Sequence, residues 1–427
     1  MTRALVVGLA RSGRAAAGLL ARRGWDVVAV DSGDVDVDDL RAGGIDARPG
    51  FTGAVTDVDV VVKSPGVPEG AGPVAAAYAA GIPVISEVEL AARMTASPVI
   101  AITGTNGKTT TTELTAHIMR EAGVDAVACG NQGTPITTLV ETVPASTWLV
   151  VECSSFQLEG VGTAFHPRAA VVLNVTPDHL DRHGDMDRYA AAKRRIFENQ
   201  TADDLAIAPP GFGAAGSVVL RTIDEERRPT SVAWSEGGLH HADRGLIATW
   251  DRVALRGAHN RQNAMAAVAL AVHAGAGDVA RGLATFPGVE HRLEVVAEID
   301  GVTYVNDSKA TNPDAAMAAL DAYPERVHLI VGGRAKGTPF APLAERARGR
   351  VVAAYGVGEA SGEIGAALRA EGIPVTDSGT IADAVAGARE DAVAGDVVLL
   401  APACTSFDQF TSFEERGRAF RRAVLGD

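Results

Sequence analysis

The chain has 427 residues, is 47% hydrophobic and 22% charged, and carries a formal net charge of −14. This length exceeds a single core and predicts roughly two to four domains, and the ordinary globular composition argues against long disorder. The acidic balance excludes a general nucleic-acid binder, and no apolar run approaches the ~18 residues of a membrane span.

Strand and helix signals alternate along the chain. Residues 4–7 predict a strand, 8–13 a glycine turn and 14–23 a helix. A second strand over 25–30 closes on Asp31, and a third over 58–62 precedes the breaker run Ser64-Pro65-Gly66-Val67-Pro68. The opening residues are already strand-like, so no signal peptide and a cytoplasmic location are expected. A second unit opens with a strand over 98–103, then a glycine loop and a helix from about 108 to 121. Strands over 147–151 and 169–173, a helix over 186–199, an irregular short-stranded stretch over 211–256 and an alanine-rich helix over 259–275 follow. A third unit has strands near 303–305, 327–331, 351–354 and 397–400. The pattern predicts a three-domain α/β protein with parallel sheets covered by helices. The domains are expected at 1–93 (Rossmann-like), 94–289 (central, P-loop ATPase-like) and 290–427 (Rossmann-like).

The three cysteines, Cys129, Cys153 and Cys404, have neither a disulfide framework nor metal-ligand spacing and read as small buried hydrophobes. Of 39 basic residues only five are lysines: Lys63, Lys108, Lys193, Lys309 and Lys336. A chain that writes Arg for surface cations keeps lysine where a compact charge or a neutral amine is needed. Lys63 is read as a surface cation; the other four are candidates for function.

Gly104-Thr105-Asn106-Gly107-Lys108-Thr109 follows a strand and opens a helix. The glycines let backbone N–H groups face phosphate oxygens, Lys108 supplies a point charge, and Thr109 can place a hydroxyl on Mg²⁺. The spacing is shorter than the common phosphate loop, with Ile102 where its first glycine would stand. The bland alternative is a plain strand-to-helix turn. Glu152 ends the next strand of the same sheet, a good position for a metal-binding carboxylate. His179, after another strand, is a second candidate ligand. Lys193, mid-helix, is either a solvated cation or an amine that reacts with CO₂ to give a carbamate, a metal-binding group Arg cannot form.

These residues resemble those of the Mur ligases, the amide-forming enzymes of peptidoglycan synthesis. The match runs through Gly104–Thr110, Glu152-x-Ser154-Ser155-Phe156-Gln157-Leu158, Asn174-x-Thr176-x-Asp178-His179-x-Asp181, His259-Asn260-x-x-Asn263, His291-Arg292 and Asn306–Asn312, in family order over nearly the whole chain. Ala401–Phe410 and Phe413–Gly417 place it nearest the D-glutamate-adding branch. The resemblance implies ATP as cosubstrate, with Gly104, Thr105, Asn106, Gly107, Lys108, Thr109 and Thr110 as its loop. Asn260, Asn263, Arg292 and Asp307 would also approach it. It implies two Mg²⁺ ions, held by Thr109 and Glu152 and by His179 with carbamylated Lys193. UDP-N-acetylmuramoyl-L-alanine would be taken by Arg11, Ser12, Asp31, Ser32, Asn131 and Ser154. D-glutamate would be taken by Lys309, Thr311, Lys336, Ser406, Phe407 and Phe413. No membrane span or nucleic-acid partner is implied, and a monomer is expected.

Each residue keeps a structural alternative: Asn260 as a helix cap, Phe407 and Phe413 as core, Arg292 as an interdomain salt bridge. Gly8-x-Ala10-x-x-Gly13 with Asp31 also resembles a dinucleotide fingerprint with Ala for its middle glycine. Relatives often carry an arginine where Gly33 stands. An L-glutamate-adding relative, a folylpolyglutamate synthase-like ligase, a nicotinamide oxidoreductase and a non-catalytic nucleotide module remain the rival readings.

Overall fold

The computed structural model describes residues 2–213, 219–255 and 257–426. Among these, three sheets contain five, nine and six strands. No helix of the described residues is long and apolar enough to cross a membrane. Two compact units emerge, one formed by 1–253 with 262–286 and one by 254–261 with 287–427.

In the first unit, the N-terminal sheet has the strand order Asp46–Arg48, Asp26–Val30, Arg3–Val7, Val60–Lys63, Val84–Ser86, all parallel. Its central strands are apolar on both faces and buried, as a helix-covered parallel sheet requires. The first helix spans Arg11–Arg22 and starts earlier than the sequence suggests. Arg11 and Ser12 are therefore its first turn, not a loop. Gly13 is obligatory there, because a Cβ would lie 1.8 Å from the Gly8 carbonyl oxygen.

The second sheet centres on the fully buried strand Val99–Thr103, flanked in parallel by Trp148–Glu152 and Ala169–Val172. Register places Ile102 beside Glu152 and Thr103 beside Val172, so these chain ends open at one edge of the sheet. That edge is where parallel α/β sheets bind ligands. Ala126–Gly130 adds an outer strand that carries Asn131 to Glu152. Among the described residues, the stretch read as irregular and short-stranded carries four short strands, Leu220–Asp224, Ser231–Ser235, Gly238–His241 and Gly245–Thr249.

Helix Glu87–Met94 bolts these two sheets together. The buried Glu89 carboxylate accepts N–H groups of Gly162 (2.9 Å), Ala164 (3.3 Å) and Phe165 (3.0 Å). Glu87, also buried, accepts from Thr137 N (2.8 Å) and Oγ1 (2.7 Å), while its second oxygen has no hydrogen-bond partner.

In the second unit, Glu294–Ile299 pairs antiparallel with Val302–Asn306, and Val397–Leu400, Val327–Gly332, Val351–Val357 and Val375–Gly379 continue in parallel. Its core lies on both faces, around Leu329, Leu343 and Leu399 on one and Tyr304, Tyr355 and Phe420 on the other. The antiparallel strand Glu294–Ile299 departs from the predicted parallel pattern, as do the antiparallel pairings of Gly238–His241 with Ser231–Ser235 and Gly245–Thr249 in the central sheet.

Burial pushes the Glu87 carboxyl from 4.5 up to about 7. The folded state therefore holds this proton more tightly than the unfolded chain. Its stabilising contribution is full below pH 4.5 and is lost as pH rises through about 7. Relative to Glu87→Gln, the wild type should lose roughly 3 kcal/mol of stability between pH 4.5 and 8, read by urea unfolding. Parallel pH profiles for the two proteins would contradict this.

Candidate active site

The phosphate loop is built by zipping two segments together. Thr105 N donates to Asn174 O (3.0 Å), Asn106 N to Asn174 Oδ1 (2.9 Å), and Asn174 Nδ2 back to Asn106 O (3.1 Å). Thr176 N donates to Thr105 Oγ1 (3.0 Å), which also lies 3.2 Å from the Tyr189 hydroxyl. Gly107 turns the chain with φ 85° into helix Lys108–Glu121. A Cβ there would stand 2.3 Å from Asn263 Oδ1, so only glycine fits. Asn263 is buried and accepts from Thr111 Oγ1 at 3.3 Å, beneath the loop. The helix directs its first-turn amides, from Lys108 to buried Thr110, at the loop mouth.

Lys108 Nζ spans the loop, donating to Gly104 O and Thr105 O at 2.9 Å each. Lys193 Nζ donates to the same Gly104 O at 2.9 Å. Lys193 is 1% exposed and sits 4.4 Å from the Tyr189 ring centroid, so it is not the solvated cation its helix suggests. Burial, and then the Lys108 charge, pull its amine well below the lysine range, with Asp178 and Glu152 opposing. A lysine whose ammonium form is disfavoured is the species that can react as an amine.

Glu152, 2% exposed, accepts from Thr109 Oγ1 at 2.5 Å and from Asn131 Nδ2 at 3.1 Å. Asn131 N also bonds Glu152 O (2.9 Å), so the outer strand supports the carboxylate. The paired oxygens of Thr109 and Glu152 are hard donors of the kind Mg²⁺ prefers. Among the described residues no three His, Cys, Asp or Glu side chains converge as a metal cage. The His179 backbone is left-handed (φ 54°), and its ring meets Asp178 Oδ2 at 3.5 Å and Phe156 edge-on at 5.2 Å. Ser154 is engaged as the cap of helix Ser155–Glu159, with Gln157 completing a capping box. The side chains of Asp181 and His259 lie outside the described residues.

Lys63 corrects the sequence reading. It is 4% exposed, not a surface cation, and donates to Val67 O at 3.2 Å. Burial and the nearby Arg182 charge lower its pKa. The sequence could have flagged it, since it ends an apolar parallel strand.

At the C-terminal ends of the N-terminal strands lies a cavity of about 510 Å³, lined by residues including Gly8, Ser12, Asp31, Ser32, Ser64 and Val67. Asp31 braces it, accepting Leu9 N (2.6 Å) and Gly33 N (2.8 Å). Ser12, Asp31 and Ser32 are thus brought together. Arg11 is exposed and outside the lining.

In the second unit, Asn260 is the third residue of helix Ala258–His273 and buried, which removes the capping alternative. Arg292 lies 3.9 Å from Asp307 Oδ1 within that unit, and burial raises the Asp307 carboxyl. Lys309 Nζ sits 5.4 Å from the Phe413 ring centroid, with partly exposed Thr311 just beyond. The backbone bridge Arg334–Thr405 draws the turn bearing exposed Lys336 towards buried Ser406. Phe407 is 62% exposed, so it is not core.

Sequence reasoning gave Arg416 no role. It is 1% exposed and donates to Ser308 Oγ (3.0 Å), Ser308 O (2.8 Å), Cys404 O (3.1 Å) and Thr405 O (3.2 Å). It therefore ties the Asp307–Lys309 segment to the Cys404–Ser406 segment. Burial lowers its guanidinium to about 10. Its place in the run Phe413–Gly417 was the available signal.

Two family models match the chain: the Mur ligase middle domain over residues 102–271 and the Mur ligase, glutamate ligase domain over 291–404. The UDP-N-acetylmuramoylalanine–D-glutamate ligase of Pelotomaculum thermopropionicum is 44% identical, covering 99% of this chain and 97% of its own. Among solved structures, the UDP-N-acetylmuramate–alanine ligase of Thermotoga maritima aligns over 100% of both chains with a TM-score of 0.64 at 18% identity. The MurF ligase of Thermotoga maritima in complex with ADP aligns over 94% of this chain and 95% of its own, with a TM-score of 0.64 at 16% identity. The loop, the buried lysine and the carboxylate lie within the span of the middle-domain model, and the likeness runs the length of the chain: it belongs to the Mur ligase family.

Proposed function

We propose that this chain is an ATP-dependent ligase that joins D-glutamate to UDP-N-acetylmuramoyl-L-alanine in peptidoglycan precursor synthesis. The observation that carries the chemistry is the phosphate loop whose Gly104 carbonyl is shared by Lys108 and the buried Lys193 beside Glu152. The identity to a D-glutamate ligase across both whole chains favours this substrate pair over a folylpolyglutamate synthase-like or oxidoreductase reading.

In the reaction, the L-alanyl carboxylate oxygen attacks the γ-phosphorus of ATP and the bond to ADP breaks, giving an acyl phosphate. The glutamate amine then attacks the acyl carbon. The tetrahedral intermediate expels phosphate, and the nitrogen sheds a proton to leave the amide. Lys108 and the first-turn amides neutralise charge on the phosphoryl oxygens. Thr109 and Glu152 would hold Mg²⁺, which adds positive charge where phosphoryl charge develops. Asn131 keeps Glu152 aimed. Lys193, as a neutral amine, would take up CO₂ and release a proton; the resulting carbamate would join His179 as oxygen and nitrogen donors for a second ion.

We assign the remaining residues by domain. Residues 1–93 bind the uridine nucleotide through Ser12, Asp31 and Ser32, with Arg11 beside Ser12 in the first helical turn, and Ser154 acts by capping. Residues 94–289 bind ATP. Residues 290–427 take D-glutamate through Lys309, Thr311, Lys336, Ser406, Phe407 and Phe413, with Arg292 and Asp307 serving ATP.

Phosphate release from ATP should require both UDP-N-acetylmuramoyl-L-alanine and glutamate, with D-glutamate far better than L-glutamate. Release without the nucleotide, or preference for L-glutamate, would reject the assignment. Lys193→Ala should lose on the order of a hundredfold or more in kcat, and small carboxylic acids should restore part of it. Full activity without added acid would exclude the carbamate. Arg416→Met should raise KM for D-glutamate on the order of tenfold, with a smaller rise in KM for ATP through Asp307 beside the Ser308 it holds. An unchanged KM for D-glutamate in the folded variant would separate Arg416 from the amino-acid pocket.

A further inference from the structure

The five-residue run from Ser64 to Pro68 walls the N-terminal cavity and belongs to no strand or helix. Two of its carbonyls are held from outside the N-terminal sheet. Arg182 donates to Pro65 O at 2.9 Å and to Val67 O at 2.8 Å. Lys63 donates to the same Val67 O, so two cations converge on one peptide group.

Arg182 comes from the turn that begins at His179. Its guanidinium lies 4.1 Å from the Phe156 ring centroid. The same ring meets His179 edge-on at 5.2 Å and stacks on His183 at 5.1 Å. His183 is fixed in turn by Ser155 Oγ (3.0 Å) and Glu159 (3.2 Å). A continuous set of packed contacts thus runs from the cavity wall, through Arg182 and Phe156, to His179. The planar two-pronged donor suits this place, since one guanidinium reaches two carbonyls while its face rests on an aromatic ring.

We propose that Arg182 is a positioning residue that ties the wall of the N-terminal cavity to the His179 turn, so that a seated uridine nucleotide and His179 share one register. The proposal rests on the ligase function given above. A nucleotide that orders the wall then also orders the turn, and a wall set loose costs both binding and turnover.

The test compares full-length wild type, Arg182→Met and Arg182→Lys by UDP calorimetry and by steady-state kinetics. Arg182→Met should weaken UDP binding, raise KM for UDP-N-acetylmuramoyl-L-alanine and lower kcat, each on the order of tenfold. KM for ATP should stay within about twofold, because Lys108 and its loop are held by other bonds. Arg182→Lys, retaining the charge and one donor, should fall between, and it carries the test if the methionine variant does not fold. A purely structural role would lower the melting temperature and the active fraction but leave UDP affinity and KM at wild-type values; that result overturns the proposal. Wild type that binds UDP without making the amide would reject the ligase function while the calorimetric comparison still decides the role of Arg182. Wild type that binds no UDP would overturn both.

Discussion

Two lysine amines donate to one backbone carbonyl, and the arrangement of the central domain follows from that constraint. Lys108 and Lys193 both reach Gly104 O at 2.9 Å, and Lys193 is shut away from water. Burial is the larger penalty on the inner ammonium, and the neighbouring Lys108 charge adds to it. The outer lysine, Lys108, is only part-buried at the first turn of its helix. The inner one is driven towards the neutral amine. A position that looks like an electrostatic fault is therefore a way of preparing an uncharged nitrogen beside a carboxylate.

That preparation depends on a loop that does not yield. If Gly104 and Thr105 could move, the two lysines would lose their shared acceptor, and the part of the inner lysine's shift that comes from Lys108 would weaken. The reciprocal amide bonds of Asn106 with Asn174 and the bonds of Thr105 with Thr176 prevent this. Gly107 locks the other end, where any side chain would strike Asn263. The Asn174-x-Thr176 pattern thus acts on the phosphate loop by fixing its shape. The same strand end leads on to Asp178 and His179, so the loop's rigidity and the turn's position share one origin.

Much of this was legible because its causes are local. A strand, a glycine loop and Lys-Thr opening a helix are neighbours in sequence, and the helix over 108–121 lies where its pattern places it. What was not legible depends on distant partners. The apolar strand hints that Lys63 is buried, but nothing near it says that Arg182, far along the chain, will share its Val67 acceptor. The strand Ala126–Gly130 is short and small-sided, with too little periodicity to announce itself, yet it delivers Asn131 to Glu152. The helix start at Arg11 was hidden because Ala10 offers no capping side chain. His179 was legible as a motif residue, but its contacts with Phe156 and Asp178 needed the fold.

Two deeply buried cations show why this chain keeps lysine at one site and arginine at another. Arg416 and Lys193 are equally hidden, and each donates to oxygens of backbone or hydroxyl groups. Among the described residues Lys193 has one carbonyl acceptor, too few to hold an ammonium, so losing the proton relieves the site. Arg416 stays protonated even when lowered to about 10, and it meets burial by spreading its charge over four acceptors on two segments. Exchanging the two would fail in both places. Arginine at 193 would be a trapped charge with no chemistry to offer, and lysine at 416 could not reach both segments at once. In a chain where only five of 39 basic residues are lysine, the residue type at each buried cation therefore marks whether the site needs a permanent charge or a removable one.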